Sequence, residues 1–481
     1  RWAFVSESHI RGHGIMFTKI DRQTIPSEKS QKYIKRKPFP MSRLFNSFLV
    51  LLVLSGCSSY GVIHNEPSTD LDQRTPYSLK TWAQSKEASD FVFILTFSGG
   101  GTRAAAMAYG VLEELRDTPV VVDGQQKSLL DEVTHISSVS GGSFTSSYYG
   151  LYGDRIFEDF KDEFLLKDVQ GHLTRTLLNP FTWFSRKGRT ERAVEYYNKI
   201  LFHDATFGDM MQPGRPMIII NASDLAYGVR FSFIQDYFNF LCTDVRGFPV
   251  ASAVAASSAV PVVFNPVVVE NFGGCEPHQI LPQVIENAKH SDELAQTLEG
   301  LHSYKDKQER KYIHFVDGGI TDNMGLRAIS DVVTVSGGPQ AVVDKMQRKI
   351  PSNVVFLSVN ASTVKHPDMD KTAKQPSMIE SMNAMTSIQL HRYNAATVDM
   401  VRNNLDNWAK QLSTPEHHIN TYFIEVSFEG VTQPQLKLFL NKIPTSFKLE
   451  PDQVDALIEN GRSLLRADPE YQELLKNLSG S

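Results

Sequence analysis

Two glycine-containing turns and one aspartate in this sequence have the residue types that acyl-transfer chemistry requires. The first turn is TFSGGGTRA (96–104), which follows the apolar run FVFIL (91–95). Three glycines therefore stand where a buried strand turns into a helix. Such a turn directs several backbone N–H groups at one small volume, where they stabilise negative charge. That charge is either a bound phosphate or an oxyanion that exists only during a reaction.

The second turn, SVSGGS (138–143), places a serine between a strand and a helix. The strand HISSV (135–139) leads into Ser140, and the segment resembles the G-x-S-x-G pattern of a nucleophile elbow. Ser138 stands where the first glycine of that pattern belongs. By itself the match carries little weight, because an S-x-G should occur about twice by chance in a chain of this length.

The aspartate is Asp317, which follows the apolar strand YIHFV (312–316) and precedes Gly318 and Gly319. A plain Asp-Gly turn is one interpretation, since the chain also has Asp123-Gly124 in a polar segment. The other interpretation is catalytic, because a carboxylate at the end of a buried strand is held rigidly enough to act as a general base.

In this order, GGGTRA (99–104), SVSGGS and DGG (317–319) resemble the three blocks of the patatin-like phospholipase family. The family pattern is G-G-G-x-R-G, then G-x-S-x-G, then D-G-[GA]. Segments 216–233 and 250–261 also resemble that family, so the similarity covers roughly residues 90–330. Ala104 replaces the last glycine of the first block, and Ser138 replaces the first glycine of the second.

The resemblance implies a lipid acyl hydrolase, a phospholipase or esterase, that needs no cofactor. Ser140 is then the nucleophile and Asp317 its base, without a histidine. The implied oxyanion hole consists of Gly99, Gly100, Gly101, Thr102 and Arg103. The implied supporting residues of the two other blocks are Ser138, Gly141, Gly142, Gly318 and Gly319. The sequence has no His/Cys cluster with the usual metal-binding spacing, and we expect no metal.

Several alternatives to this mechanism stay open from the sequence. Arg103 either orients the glycine turn or forms a structural salt bridge. A hydrolase triad would need a histidine after Asp317, and the candidates are His366, His391, His417 and His418. A transacylase would use the same dyad with an alcohol as acceptor. A non-catalytic envelope scaffold would keep the fold without the reaction.

The elements that must position these residues alternate between strands and helices. The predicted strands are 91–97, 135–139, 216–221, 230–235, 312–317 and 353–359, and several of them are continuously apolar. Continuous apolar strands are typical of a sheet covered by helices on both faces. We therefore predict an α/β three-layer sandwich with a central, mostly parallel sheet, patatin-like, and a C-terminal α/β extension. Ser377 and Glu380 form a capping-box signature that opens a long helix.

The N-terminal part resembles a bacterial lipoprotein signal. After Met41 and Arg43, the apolar run 44–54 is shorter than the about 20 residues that a membrane span needs. It ends in Leu54-Ser55-Gly56-Cys57, where the resemblance implies lipidation of Cys57. A short buried helix is the alternative. By the same resemblance, Ser58 after the cysteine, in place of an aspartate, implies a lipid-anchored protein of the outer membrane more than of the inner membrane.

The predicted organisation has five segments. They are a non-native or upstream segment (1–40), a signal peptide (41–56), a lipidated N-terminus with a tether (57–88), the catalytic domain (89–335) and the C-terminal extension (336–481). The expected partners are a lipid or phospholipid substrate and the membrane that holds Cys57. Nucleic acid is not an expected partner, because a net charge of −5 provides no broad basic surface.

The glycine turn also satisfies the spacing of a dinucleotide fingerprint, with Asp123 about 20 residues further on. However, Asp123 lies in polar DGQQKS (123–128), which is typical of an ordinary turn, and an exported chain would fold where such nucleotides are scarce. We therefore expect the turn to hold an oxyanion.

Three further patterns each allow two interpretations. Cys242 and Cys275 form a disulfide or stay as separate buried thiols, and the separate thiols are favoured. Met378, Met382 and Met385 share one helix face, which we expect to be packed core rather than an acyl-chain groove. The aromatic and basic segment 177–189 is a partly buried loop or a membrane-interface loop.

Overall fold

The computed structural model describes residues 64–68, 77–85, 91–122, 124–178, 188–261, 263–276, 280–364 and 368–479. The signal segment 41–56, Cys57, most of the 177–189 loop and His366 lie outside these ranges. The predictions that concern them stay predictions.

The centre of the fold is an eight-stranded sheet with the order β10-β9-β1-β4-β5-β8-β7, and β6 pairs with β5. A separate hairpin consists of β2 and β3. The bounds of the strands are β1 Phe91–Phe97, β2 Pro119–Val122, β3 Gln125–Ser128, β4 Val133–Val139, β5 Met217–Asp224, β6 Arg230–Ser232, β7 Val267–Glu270, β8 Tyr312–Val316, β9 Asn353–Asn360 and β10 Asn420–Ser427.

Helices connect these strands and cover both faces of the sheet. Their bounds are α1 Leu79–Ser85, α2 Thr102–Asp117, α3 Gly141–Tyr152, α4 Ile156–Phe160, α5 Val169–Leu178, α6 Arg189–Tyr197, α7 Gln235–Phe238, α8 Val250–Ser257, α9 Pro282–Ala288, α10 Asp292–Ser303, α11 Gly319–Asp322, α12 Arg327–Val335, α13 Pro339–Met346, α14 Met378–Leu412, α15 Pro434–Lys442, α16 Pro451–Ala467 and α17 Pro469–Ser479. Within the described ranges, no helix combines the length and apolarity needed to cross a bilayer.

The predicted fold class is confirmed. Strands β10, β9, β1, β4 and β5 are mutually parallel, and only the pairings of β5 with β6 and β8, and of β8 with β7, are antiparallel in this sheet. Every residue of β5 is buried, as in a strand that is covered on both faces. The capping box at Ser377 and Glu380 is also confirmed, and it opens α14.

Strand β8 runs antiparallel to β5, and this direction brings the C-terminal end of β8 close to the C-terminal end of β4. Strand β5 runs past the end of β4, where Val139 pairs with Asn221. The overhanging part of β5 pairs with antiparallel β8, and Val316 lies opposite Ser223. The chain leaving β8 therefore runs back toward the end of β4. This places Asp317 level with the residue that follows Val139.

The C-terminal third adds two strands to the same sheet. Strand β9 pairs with β1 along its whole length, and β10 pairs with β9. Helix α16 then packs on α2, where the Arg466 guanidinium donates two hydrogen bonds to the Glu114 carboxylate, at 2.8 and 2.6 Å. The extension is thus continuous with the sheet that carries the glycine turn.

Two of the alternatives left open by the sequence are decided by the fold. Cys242 and Cys275 form a disulfide with a Cα–Cα distance of 5.5 Å, so the favoured interpretation as separate thiols is wrong. The expectation of a packed methionine face is also wrong for Met378 and Met385, which are 80% and 67% exposed. Both belong to the first half of α14, where the helix face opposite the core meets solvent.

Replacing Cys242 and Cys275 together with alanine should lower the free energy of unfolding by about 2–4 kcal/mol. The cross-link joins positions that are 33 residues apart in the sequence. It therefore closes a loop in the unfolded chain and lowers the conformational entropy of that state. Urea unfolding of oxidised wild type and of the double variant measures the difference. Equal midpoints and slopes would contradict the prediction.

Candidate active site

The Ser140 side chain is presented by a strained turn between β4 and α3. Ser140 has φ 50° and ψ −119°, which is an unfavourable region for a residue with a Cβ atom. Its side chain is 5% exposed. Non-glycine residues persist in such a conformation when surrounding contacts enforce it, and they concentrate at functional sites.

The contacts that enforce this turn come from two other segments. The Ser140 N–H donates to the Ser257 hydroxyl at 2.8 Å, and that hydroxyl donates to the Asn221 carbonyl oxygen at 2.6 Å. A Cβ atom on Gly141 would lie 2.0 Å from the Gly101 carbonyl oxygen. The serine turn and the glycine turn therefore touch through their backbones, and any side chain at residue 141 would separate them.

The two departures from the family pattern fit this geometry. The Ser138 side chain is fully buried and accepts a hydrogen bond from the Ser146 hydroxyl at 2.7 Å. Gly142, the last glycine of the pattern, has no such room, because a Cβ atom there would lie 2.6 Å from the Cβ of Phe97. Ala104 is also buried, with its methyl group next to Gly100.

Asp317 lies beside Ser140, whose hydroxyl lowers the pKa of the Asp317 carboxyl. The carboxylate accepts a hydrogen bond from the Gly319 N–H at 2.8 Å. Gly318 passes so close to β5 that a Cβ atom would lie 2.3 Å from the Asn221 carbonyl oxygen. Desolvation outweighs the effects of Ser140 and Gly319 and raises the pKa of Asp317 from its ordinary value of 3.8 to about 6.

The glycine turn contributes fewer candidate donors than the sequence predicts. The Gly99 N–H donates to the Asn323 carbonyl oxygen and the Thr102 N–H to the Ser446 carbonyl oxygen, both at 2.9 Å. Those two N–H groups are therefore not available to an oxyanion. For the Gly100 and Gly101 N–H groups, the described part of the chain provides no acceptor.

The backbone conformation of the turn explains why glycine is needed there. Gly100 has φ 146° and Gly101 has φ 63°, which L side chains rarely adopt. Gly101 also precedes α2, so its N–H lies at the positive end of that helix. The local field therefore favours a negative charge at this position.

Arg103 holds the turn through hydrogen bonds and not through a salt bridge. Its guanidinium donates to the carbonyl oxygens of Ala361 and Ile443, each at 2.8 Å, and to the Thr445 hydroxyl at 3.0 Å. Burial lowers its pKa to about 10. No ion pair of Arg103 occurs within the described residues, so its side chain ties the turn to the C-terminal third.

None of the described histidines contacts Ser140 or Asp317. The His391 ring N–H donates to the Thr363 carbonyl oxygen at 2.9 Å, and the His417 ring lies 3.4 Å from the Pro351 carbonyl oxygen. His418 is exposed. Desolvation, Gly319 and Ser140 account for the shifted pKa of Asp317, without a histidine.

Three residues that support the site were not predicted from the sequence. They are Asn221, Ser257 and Asn323. Asn221 donates through its amide to the Ser137 hydroxyl at 2.9 Å and the Ser138 carbonyl oxygen at 3.1 Å. Asn221 and Ser257 lie within the segments that resemble the family, 216–233 and 250–261, and this resemblance was the sequence signal for both residues. Asn323 follows the DGG block, and only the tertiary contact with Gly99 shows its role.

A polar cavity of about 330 Å³ lies next to the site but does not include it. Its lining contains Arg230, Arg327, Asp331 and Tyr393, together with Thr321. The Thr321 hydroxyl contacts the Ser223 hydroxyl at 2.8 Å, and Ser223 donates to the Asp317 carbonyl oxygen at 2.9 Å. The cavity is thus connected to Asp317 only through Thr321 and Ser223, and we do not assign the substrate to it.

A comparison with known protein families gives a match that includes the residues of this site. The model of the family described as patatin-like phospholipase matches residues 95–329. That range contains the glycine turn, Ser140 and Asp317. A search of curated protein sequences found no match.

Among solved structures, human GIVD cytosolic phospholipase A2 aligns at 12% identity and a TM-score of 0.42, over 88% of this chain and 68% of that one. Its complex with methyl gamma-linolenyl fluorophosphonate aligns at 12% identity and a TM-score of 0.38, over 85% and 63%. The complex that also contains terbium chloride aligns at 13% identity and a TM-score of 0.38, with the same coverage.

Replacing Asp317 with asparagine should stabilise the fold at neutral pH. A carboxyl whose pKa is raised on folding stabilises the native state fully only below its unfolded value of 3.8, and this contribution is lost as the pH rises through about 6. Asparagine keeps the shape without the buried charge. Thermal unfolding should show the variant melting higher than wild type at pH 8, with a smaller difference at pH 5. A difference that does not change with pH would contradict this assignment.

Proposed function

Because the chain contains a patatin-like phospholipase domain over residues 95–329, we propose that it hydrolyses carboxylic ester bonds of lipids through Ser140 and Asp317. One observation carries the proposal, namely the desolvated Asp317 carboxyl beside the Ser140 hydroxyl, which acts on the pKa of that carboxyl. An acyl hydrolase needs an activated nucleophile, and this pair supplies the nucleophile and its base in contact.

The raised pKa suits Asp317 for this task. A carboxylate with an ordinary pKa near 3.9 is a poor base for a serine hydroxyl. A base whose pKa lies closer to the working pH accepts the proton more readily and still is mostly ionised at pH 7. As Ser140 Oγ attacks the ester carbonyl carbon, its proton passes to Asp317. The same proton then leaves with the alcohol, and an acyl-serine remains.

The Gly100 and Gly101 N–H groups are the proposed oxyanion donors. In the tetrahedral intermediate the former carbonyl oxygen becomes negative, and it needs donors that are oriented before the reaction begins. These two groups are held by a turn that touches the serine turn at Gly141. Water then attacks the carbonyl carbon of the acyl-serine while Asp317 accepts its proton. The bond from that carbon to Ser140 Oγ breaks, the proton passes from Asp317 to Oγ, and the fatty acid leaves.

A fluorophosphonate probe tests for the nucleophile directly. Wild type should be labelled, and Ser140→Ala should lose the label completely. Ser147→Ala is the matched control, because Ser147 is a buried serine of α3, the helix that follows Ser140, and its hydroxyl has no partner in the described structure. A folded wild-type protein that is not labelled would favour the non-catalytic scaffold.

The rate of labelling should depend on pH through Asp317. Because its pKa is about 6, the rate should be constant above pH 7 and fall about tenfold for each pH unit well below 6. Asp317→Asn should lower the rate at pH 8 by at least about 10²-fold and remove the dependence near pH 6. A profile centred near pH 4 would contradict the proposed base.

Substitution within the glycine turn should reduce the reaction without unfolding the protein. In Gly101→Ala the new Cβ atom would lie 2.6 Å from the Ser446 carbonyl oxygen, and the turn must shift. We expect ester hydrolysis to fall about 10²-fold or more, the typical effect of losing one oxyanion donor. Gly124→Ala is the matched control. Gly124 also has a positive φ, of 73°, but no heavy atom lies within 4 Å of the position of the new Cβ atom. Equal losses in both variants would indicate backbone strain alone.

A further inference from the structure

Six large apolar side chains are exposed on segments that adjoin the candidate active site. We call them the apolar rim, and its residues are Ile320, Val364, Met385, Ile388, Leu438 and Phe439. Ile320 follows the DGG block directly. The other five belong to α14, to α15 and to the loop after β9, all of which lie beyond the matched family range.

The topology places these segments at the same sheet edge as Ser140. Strands β4, β9 and β10 are parallel within one sheet, so their carboxyl ends meet at one edge. Ser140 follows β4, and the loop that leads into α14 follows β9. Helix α15 follows β10. The first half of α14 and helix α15, whose end contacts the loop after β9 and Arg103, therefore lie at the edge that carries the candidate nucleophile.

Hydrogen bonds connect α14 to the glycine turn through two steps. The Asn394 amide of α14 donates to the Ser362 hydroxyl at 3.0 Å, and the Asn323 amide donates to the same hydroxyl at 3.2 Å. The Asn323 carbonyl oxygen accepts the Gly99 N–H at 2.9 Å. Helix α14 is thus anchored directly beside the turn that holds the candidate oxyanion donors.

Helix α15 is anchored to the same loop. The Val364 N–H donates to the Asn441 side-chain oxygen at 2.8 Å, and the His391 ring of α14 contacts the Thr363 carbonyl oxygen at 2.9 Å. The loop 361–364 therefore holds both helices. Because their exposed apolar side chains flank this loop, they form one surface next to the candidate site.

The rim part of α14 points away from the protein core. Asn394, Val401 and Leu405 are buried on one side of this helix. At 100° per residue, Met385 and Ile388 lie on the opposite side. Ile388 is 56% exposed. Nothing in the described structure covers this face, although an exposed apolar stripe is costly in water.

Cations continue the apolar face of both helices. Arg392 lies one turn after Ile388, and Lys442 lies one turn after Leu438; both are exposed. Neither forms an ion pair within the described residues. Apolar side chains followed by unpaired cations are typical of a surface that inserts between acyl chains and contacts lipid phosphates.

We propose that the apolar rim docks this protein on the surface of a phospholipid bilayer that contains anionic lipids. This inference rests on the proposed lipid hydrolysis, because a bilayer is the source from which an insoluble ester reaches Ser140. A second copy of the chain on the rim would bring the same cations, Arg392 and Lys442, together, whereas anionic lipids would neutralise them. Docking would bring the sheet edge that carries the candidate nucleophile toward the lipid surface.

Vesicle flotation tests the proposal with the full chain carrying Cys57→Ser, so that no acyl chain at that position contributes. The vesicles contain phosphatidylcholine alone or mixed with phosphatidylglycerol. Ile388→Asp and Leu438→Asp should each weaken binding to the mixed vesicles about tenfold, the effect expected for losing one inserted apolar side chain. Binding to phosphatidylcholine alone should be weaker than to the mixture.

Val121→Asp is the matched control. Val121 is 55% exposed, like Ile388, but it belongs to the β2–β3 hairpin after the far end of α2. Its substitution should leave vesicle binding unchanged. Equal weakening in Val121→Asp and Ile388→Asp, or no binding of the parent protein to either vesicle, would overturn the proposal.

Hydrolysis of the water-soluble ester p-nitrophenyl butyrate separates this inference from the proposed function. The rim variants should retain it within about twofold while losing hydrolysis of vesicle lipid in proportion to binding. Ester hydrolysis without rim-dependent vesicle binding would overturn the docking surface and leave the proposed function standing. Rim-dependent vesicle binding by a protein without esterase activity would support the docking surface and overturn the proposed function.

Discussion

The site depends on a backbone-to-backbone approach of three chain segments at one edge of the sheet. The glycine turn, the serine turn and the segment after β8 come so close that a Cβ atom at Gly141 or Gly318 would overlap a carbonyl oxygen. Such contacts leave no room for side chains at residues 141 and 318. The close approach thereby brings the segments of Ser140 and Asp317 next to the glycine turn.

The same approach explains the electrostatics of Asp317. The Gly319 N–H and the Ser140 hydroxyl both lower the pKa of its carboxyl, yet desolvation is the larger effect and the pKa rises to about 6. The folded state thus holds a charge at neutral pH at a cost in stability. If Asp317 is the base of the proposed dyad, this loss of stability gives a stronger base beside the candidate nucleophile, which is the usual exchange between stability and activity.

The C-terminal third of the chain takes part in this arrangement as well. Arg103 reaches across to the carbonyl oxygens of Ala361 and Ile443, and the Ser446 carbonyl oxygen accepts the Thr102 N–H. These contacts hold the glycine turn from the side opposite the serine. The matched family range ends at residue 329, so the turn is supported by segments outside it.

The sequence by itself determined the elements and the candidate chemical groups. Five of the six predicted strands are present with similar bounds, because continuous apolar runs bounded by glycines and polar turns have few other stable arrangements. The prediction 230–235 is correct only over Arg230–Ser232, and a helix begins at Gln235. The sequence also identified Ser140 and Asp317 as candidates, because small residues and glycines follow the strands that precede them. The tertiary structure decided which backbone N–H groups stay available, since Gly99 and Thr102 donate to acceptors at positions 323 and 446. It also decided the disulfide and the exposed methionines, because pairing and burial depend on segments distant in the chain that no local pattern specifies.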